Sequence, residues 1–404
     1  MSGDGLDRRA FLQGGAAALG GAALALGGRA AWDAATASEP AVGPADAVGR
    51  AFVAARGVRQ AGVGTPPQSF ASFVSLDLVD GVDRAALVRL MRIWTDDIDR
   101  LTGGRPGLAD TEPELAVVPA RLTVTVGYGP GVFSAAGLDD RRPTWLAPLP
   151  PFAVDRLEDA WTGGDLMLQV CADDEVTISH AIRLMVKDAR TFTSVRWVQR
   201  GFRRSPGATP PGTTMRNLMG QVDGTRNPSP DADGSLIWHE SGPSWLVGGT
   251  SMVIRRIAMD LETWDAVDRT GREFALGRRL SDGSPLTGTS EHDAPDLDAV
   301  DSLGFPVIDT SAHIRRARSA NPAERFLRRP YNYDDPPAPG TLSRSGLVFV
   351  TFQRDPVTQF VPIQRQLDKA DMLNRWTTPI GSAVFAVPGG FQAGEYLGQR
   401  LLEV

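Results

Sequence analysis

Apolar and polar positions fall into two series along the chain, each mixing period-two and helical stretches. Phe70 to Leu78 (FASFVSLDL) is dense in aromatic and β-branched side chains, which suit a pleated, half-buried surface, and predicts a strand. Leu87, Leu90, Met91, Trp94 and Ile98 then recur at helical spacing, so one face of a helix is apolar. Leu122, Val124, Val126 and Tyr128 alternate with Thr123 and Thr125, the signature of a strand buried on one side. Leu166, Leu168 and Val170 predict another strand, Ile178, Ile182 and Met185 another helix, and Ser194 to Phe202 a closing strand. Strand, helix, strand, strand, helix, strand is the split βαβ order of a ferredoxin-like domain.

A second series follows the same order less completely. Met252 to Met259 predicts a strand, Leu261 to Val267 the start of a helix, and Leu347 to Phe352 a strongly apolar strand. Gln364 to Trp376 reads as a helix, and Ser382 to Val387 as a last strand ended by Pro388-Gly389-Gly390. The connection before Leu347 is rich in Asp, Gly, Pro and Arg, and a loop that long is usually functional. The expected fold class is therefore α+β, with two ferredoxin-like halves and the second carrying a large inserted loop region.

Composition narrows the function classes. The chain has 404 residues, 42% hydrophobic and 22% charged, and a formal net charge of -6. A nucleic-acid partner wants a basic face, so that class is disfavoured. One cysteine, Cys171, allows no intramolecular disulfide, no cysteine-rich zinc site and no CxxCH haem attachment. At the N-terminus, Asp7-Arg8-Arg9-Ala10-Phe11-Leu12 precedes an uncharged Ala/Gly/Leu run from Gly14 to Gly28, too short and too weakly apolar to span a bilayer stably. It resembles a twin-arginine export signal, with Asp7 where Ser or Thr is usual. Ala35-Thr36-Ala37 suits a cleavage site. No later segment predicts stable membrane insertion. The reading is residues 1–38 signal peptide, 39–68 linker arm, 69–219 first ferredoxin-like domain and 220–404 second. Export by the twin-arginine route to the periplasm or the exterior follows, with the export machinery as a partner and a cofactor inserted before export.

Of four histidines, His180 sits in a helical stripe, His239 lacks the second histidine of HExxH, and His292 lies in an acidic loop. His313 lies in Asp309-Thr-Ser-Ala-His-Ile-Arg-Arg-Ala-Arg318; alone, a histidine in a basic loop is more often a surface residue than a ligand. Its context is Gly220-Gln-Val-Asp-Gly-Thr-Arg-Asn-Pro228 before it, then Asn321-Pro322 and Phe326-Leu-Arg-Arg-Pro-Tyr-Asn-Tyr333 after it. Together with Phe349 to Pro356 and Asn374 to Phe385, these segments resemble the dye-decolorising haem peroxidases, in the exported branch that includes enzymes called deferrochelatase/peroxidase.

The resemblance runs from about Phe70 to Gly390. It implies two ferredoxin-like domains forming a β-barrel-like pair with peripheral helices, the dimeric α+β barrel type. One haem b per chain is implied, in the C-terminal half, with His313 as iron ligand. An anionic acceptor on the second ring nitrogen stiffens such a ligand; Asp371 and Asn374 are rival candidates. Asp223 is then the distal base and Arg328, rather than neighbouring Arg329, the distal cation. Gly224, Thr225 and Arg226 are expected at the haem edge, Asn227 near peroxide or its access water, and Arg315 and Asn321 near the propionates. Two extra residues precede Asn321-Pro322, and Ala323 stands where the family pattern has arginine, so Arg316 or Arg318 is left to supply that charge. An aspartate base, with an ordinary pKa of about 3.9, stays ionised where a histidine base would be protonated, so an acidic optimum is expected.

The implied partners are hydrogen peroxide and a dye, phenol or other bulky organic reductant. Tyr331, Tyr333 and Trp376 are candidates for carrying electrons to it, against the simpler role of packing. A rival function is haem handling, meaning iron removal from haem or haem carriage in iron uptake. A chlorite dismutase-like relative fits the Asp-Gly-Thr motif less well. A homo-oligomer is left open.

Overall fold

The computed structural model describes residues 48–403, so the export-signal reading of residues 1–38 and the first part of the linker arm lie outside the described residues. Among the described residues, no helix is long and apolar enough to cross a membrane. The first series folds as β1 (Phe70–Leu78), α1 (Arg84–Thr102), β2 (Thr123–Tyr128), β3 (Leu166–Ala172), α2 (Glu175–Ala189) and β4 (Thr193–Phe202). Side-chain oxygens at the helix starts satisfy amides with no intrahelical partner: Asp83 accepts from Ala86 N at 2.8 Å and Asp174 from Thr177 N at 2.8 Å. The strand order is β2-β3-β1-β4, all antiparallel.

The second series gives β5 (Thr250–Met259), the two-residue β6 (Leu327–Arg328), β7 (Tyr331–Asp334), β8 (Ser345–Gln353), α3 (Phe360–Ala370) and β9 (Thr377–Val387). Its order is β9-β5-β8-β7, so β7 is the second strand of the ferredoxin-like half that the hydrophobic pattern left blank. The two halves meet at both edges, through Tyr128↔Ala386 and Phe202↔Asn332, and β5–β8 pairing closes the ring. Closure pairs edges that would otherwise template aggregation.

The period of two sorts side chains between the two faces. Phe73, Met167, Cys171, Trp197, Met252, Ile254, Tyr331, Val350, Phe352 and Phe385 come from both halves and fill the inside. Val74, Leu76, Val124, Val126, Leu168 and Val170 turn outward under Leu90, Met91, Trp94 and Ile98 of α1 and Leu184 and Met185 of α2. Cys171 is buried and free, and His180 is structural, its Nε2 2.9 Å from Asp110 Oδ2.

Between α1 and α2, Asp97 is 3% exposed. Burial, then the charge and hydrogen bond of Asp188 and the charge of Asp96, push its carboxyl up to about 7 against the smaller pull of Arg100. The folded chain thus keeps a proton that the unfolded chain, near 3.8, has released, so this contribution to stability falls as pH rises through that window. Asp97→Asn is expected to flatten the fall and to stabilise the protein at neutral pH by on the order of 2–4 kcal/mol, with little change below pH ~4. Denaturant unfolding at several pH values measures this; an unchanged slope in the variant rejects it.

Helix α3 begins four residues before the predicted start and stops at Ala370 rather than at Trp376. Pro362 is accommodated there because a first-turn proline removes an N–H that has no intrahelical partner anyway. Asp371 then leaves helical geometry (ψ 125°) and accepts from Leu373 N to start a separate turn, Met372–Arg375.

Candidate functional site

Ile257 and Met259 of β5, Leu347 and Phe349 of β8, and Thr377 and Pro379 of β9 face outward in the second half and form one wall of a cavity of about 560 Å³. Phe360, Ile363 and Leu367 of α3 and residues of the long connection complete it. A volume of this size suits a whole cofactor.

His313 opens the short helix His313–Arg316 and lines the cavity. Its Nδ1 lies 2.6 Å from Asp371 Oδ2. With a proton on Nδ1 donated to the carboxylate, Nε2 is the ring nitrogen left with a lone pair for a metal. Burial disfavours the charged ring, but the charge and hydrogen bond of Asp371 outweigh it, and the pKa of His313 is raised. The break after α3 is what aims Asp371 this way. Asn374, the rival acceptor, instead donates to Leu367 O at 2.8 Å.

Asp223 and Arg328 also line the cavity, and both act on the charge of His313. Arg328 Nη1 donates to Asp223 Oδ1 at 2.7 Å. Asp223 stands on a small hairpin: its amide donates to Met215 O at 2.8 Å, Arg216 bridges Val222, and Asn217 N donates to Gln221 O at 3.0 Å. Gly224 follows with φ +137°, and a Cβ there would stand 3.3 Å from Thr214 Cγ2, so both backbone and space favour glycine. Arg328 is on β6, paired to Thr351 of β8. The next residue points the other way: Arg329 is 2% exposed and donates to Thr65 O and Gln68 Oε1 of the linker arm.

Gly224, Thr225 and Arg226 line the cavity, and Arg318 lies at its wall, so of the two arginines offered for the missing charge it is Arg318 that is there. Three expected haem contacts fall elsewhere. Asn227 spends both ends of its amide on the Arg328 backbone, accepting from its N at 2.8 Å and donating to its O at 2.6 Å. It therefore positions Arg328 and is not among the lining residues. Arg315 turns away to the carbonyls of Leu297, Ile308 and Asp309, tying down the long connection. Asn321 caps the turn Pro322–Glu324, accepting from Ala323 N at 3.1 Å.

Arg278 and Arg325 line the cavity without having been singled out in the sequence, where each sits in loop context with no motif. Arg278 donates to Gly283 O and Glu291 O. Burial lowers its pKa; Glu291 opposes this, and Arg226, Arg328 and Arg318 add to it. All four arginines line the cavity and are close enough for Arg278 to feel the charge of the others; with Arg328 held by Asp223, the other three are available to a ligand's carboxylates. Apolar walls, one imidazole nitrogen free for iron and a cationic side together fit haem b.

Of the candidate electron carriers, Tyr331 and Tyr333 are buried in the barrel, while Trp376 is partly exposed. Trp376 stacks edge-on against Trp264 at 5.0 Å and packs on the cluster holding Met219, Met259, Leu347 and Leu373, all four of which also line the cavity.

Residues 60–203 match the family described as Dyp-type peroxidase, N-terminal, and residues 214–392 the family described as Dyp-type peroxidase, C-terminal. The chain is 39% identical over 422 residues to a dye-decolorizing peroxidase of Thermobifida fusca, covering 99% of this chain and 98% of that one. It is 34% identical over 368 residues to a deferrochelatase of Yersinia pestis, covering 86% and 84%. The crystal structure of a DyP-type peroxidase from Cellulomonas bogoriensis superimposes with a TM-score of 0.87 at 62% identity, covering 88% of this chain and 99% of that one.

Proposed function

The chain belongs to the Dyp-type peroxidase family, and we propose that its cavity holds haem b with His313 Nε2 on the iron. It is a haem-dependent peroxidase. Haem, when bound, supplies the two-electron chemistry that reduces peroxide. One peroxide plus two protons and two electrons gives two waters, and the electrons come from an organic reductant.

The protein's share is proton movement and charge. In this reading Asp223 takes the proton from the near peroxide oxygen and delivers it to the far one. Arg328 stabilises the negative charge that builds as the O–O bond breaks. The 2.7 Å contact between them holds both groups at one place on the cavity wall. Asp371 keeps His313 oriented and its Nε2 electron-rich. Arg226, Arg278 and Arg318 hold the haem carboxylates. The observation that carries the reading is a single cavity lined by His313 backed by Asp371 and by an Asp223–Arg328 pair.

Purified protein turned over with hydrogen peroxide and a dye tests it. Sustained, peroxide-dependent dye oxidation is the expected result. Release of iron with an intact porphyrin left behind, and no dye turnover, would instead favour the chemistry in the name of the Yersinia relative. The Arg8-Arg9 signature supports folded export to the periplasm or exterior. Lysine at both positions is expected to retain the enzyme in the cytoplasm; fractionation that still finds it exported rejects that route.

A further inference from the structure

The hairpin that carries Asp223 is secured at its two ends by different means. At the closed end, Asn217 Oδ1 accepts from Met219 N at 3.1 Å and from Gln221 N at 3.2 Å, and its Nδ2 donates to Gln221 Oε1 at 3.0 Å. At the open end, beyond the Asp223 N to Met215 O bond, no backbone hydrogen bond joins Thr214 to Thr225. Both hydroxyls instead donate to one oxygen, Oε1 of Glu291, at 2.5 Å from Thr214 and 2.7 Å from Thr225. Glu291 comes from the acidic stretch Glu291-His-Asp-Ala-Pro-Asp, far along the chain. Its own backbone is anchored independently, since Arg278 Nη1 donates to Glu291 O at 3.0 Å. The side chain is thus free to serve the hairpin while the loop stays in place.

We propose that Glu291 is a positioning residue for the peroxide reaction, a staple that closes the open end of the distal hairpin and so fixes Asp223 against Arg328. This rests on the reading of Asp223 as the distal base. The physical reason is leverage. Asp223 is two residues from Thr225, with Gly224 between them at φ +137°, the most permissive residue available. Without an anchor at Thr225, that glycine lets the carboxylate swing, and misplacement of a catalytic group by about 1 Å can cost on the order of 10²-fold in rate. A charged acceptor makes each of the two hydroxyl bonds stronger than a neutral one would.

The test uses the haem-loaded enzyme, four single variants and the Glu291→Ala/Thr225→Val double variant, with two readouts. One is the rate constant for reaction with peroxide against that for oxidation of the reductant. The other is amide hydrogen exchange over residues 214–225, which needs no turnover. Glu291→Ala is expected to slow the peroxide reaction roughly tenfold, to leave the reductant step and haem content unchanged, and to speed exchange in the hairpin. Glu291→Gln, whose amide oxygen still accepts both hydroxyls, should stay within about threefold of wild type. Thr225→Val removes one bond and keeps the loop, so it gives the answer if Glu291→Ala folds poorly. Its effect should not add to that of Glu291→Ala. Unchanged peroxide kinetics and exchange in Glu291→Ala and Thr225→Val overturn the proposal, as does Glu291→Gln failing as badly as alanine. Asp223→Ala separates the two levels: if it too leaves the peroxide reaction intact, the fault lies in the assignment of the base, and if it alone abolishes it, the fault lies with the staple.

Discussion

Asp223→Asn is expected to lower the rate constant for reaction with hydrogen peroxide by about 10²- to 10⁴-fold while the protein keeps its haem. Asparagine has nearly the shape of aspartate, and its amide oxygen can still accept from Arg328 Nη1, so the 2.7 Å contact has a substitute. What is lost is the capacity to take a proton and pass it on. Rapid mixing with peroxide, followed at the haem absorption band, measures the step before any dye is involved. Arg328→Leu should cost about 10²- to 10³-fold by removing the cation. It should also cost stability, because Asp223 is only 7% exposed and would be left without its charged partner. If Asp223→Asn reacts with peroxide within a few-fold of wild type, the proton is carried by another group and the distal assignment is wrong.

His313→Ala is expected to abolish stable haem binding, leaving haem per chain at less than about a tenth of the wild-type ratio. In the proposed reading His313 supplies the one protein–iron bond, and without it only the arginine side and apolar walls of the cavity remain to hold haem. Asp371→Asn, by contrast, should keep haem but bind it roughly 10–100-fold more weakly, since the ring loses its anionic partner and not its iron-binding nitrogen. The ratio of haem-band to protein absorbance after gel filtration reads both. A His313→Ala protein that purifies with an unchanged haem spectrum places the ligand elsewhere. A thermal melt of apo wild type against apo variant separates loss of the ligand from loss of the fold.

Much of the architecture was legible because it rests on period. Phe70 to Leu78, Leu122 to Tyr128 and Leu347 to Phe352 carry strand patterns strong enough to survive without knowledge of their partners, and α1 shows its apolar face directly. Strand β7 was missed because Tyr331-Asn-Tyr-Asp is four residues long and lies against a proline, too short for any alternation to stand out. The end of α3 was misplaced for a different reason. The apolar stripe continues through Leu373 and Trp376, but the capping bond from Asp371 to Leu373 N competes with the helix and wins locally.

Residue types alone did not single out Asp223, His313 and Arg328; the joint resemblance of their motif segments to the family did, because segment order keeps a site's functional groups recognisable. The same information was blind to direction. Asp371 rather than Asn374 backs His313, Arg318 rather than Arg315 or Arg316 lines the cavity, and Asn227 grips a backbone instead of a ligand. Neighbouring side chains in a strand point to opposite faces, and those in loops follow whichever acceptor lies nearest. A rotation at one residue therefore exchanges a cavity-lining group for a structural one at no cost to the sequence pattern. Only the folded chain decided those choices: the partners of His313 and Asn227 lie 58 and 101 residues away, and Arg315 and Asn374 are turned by carbonyls closer in sequence that only the actual backbone path brings within reach.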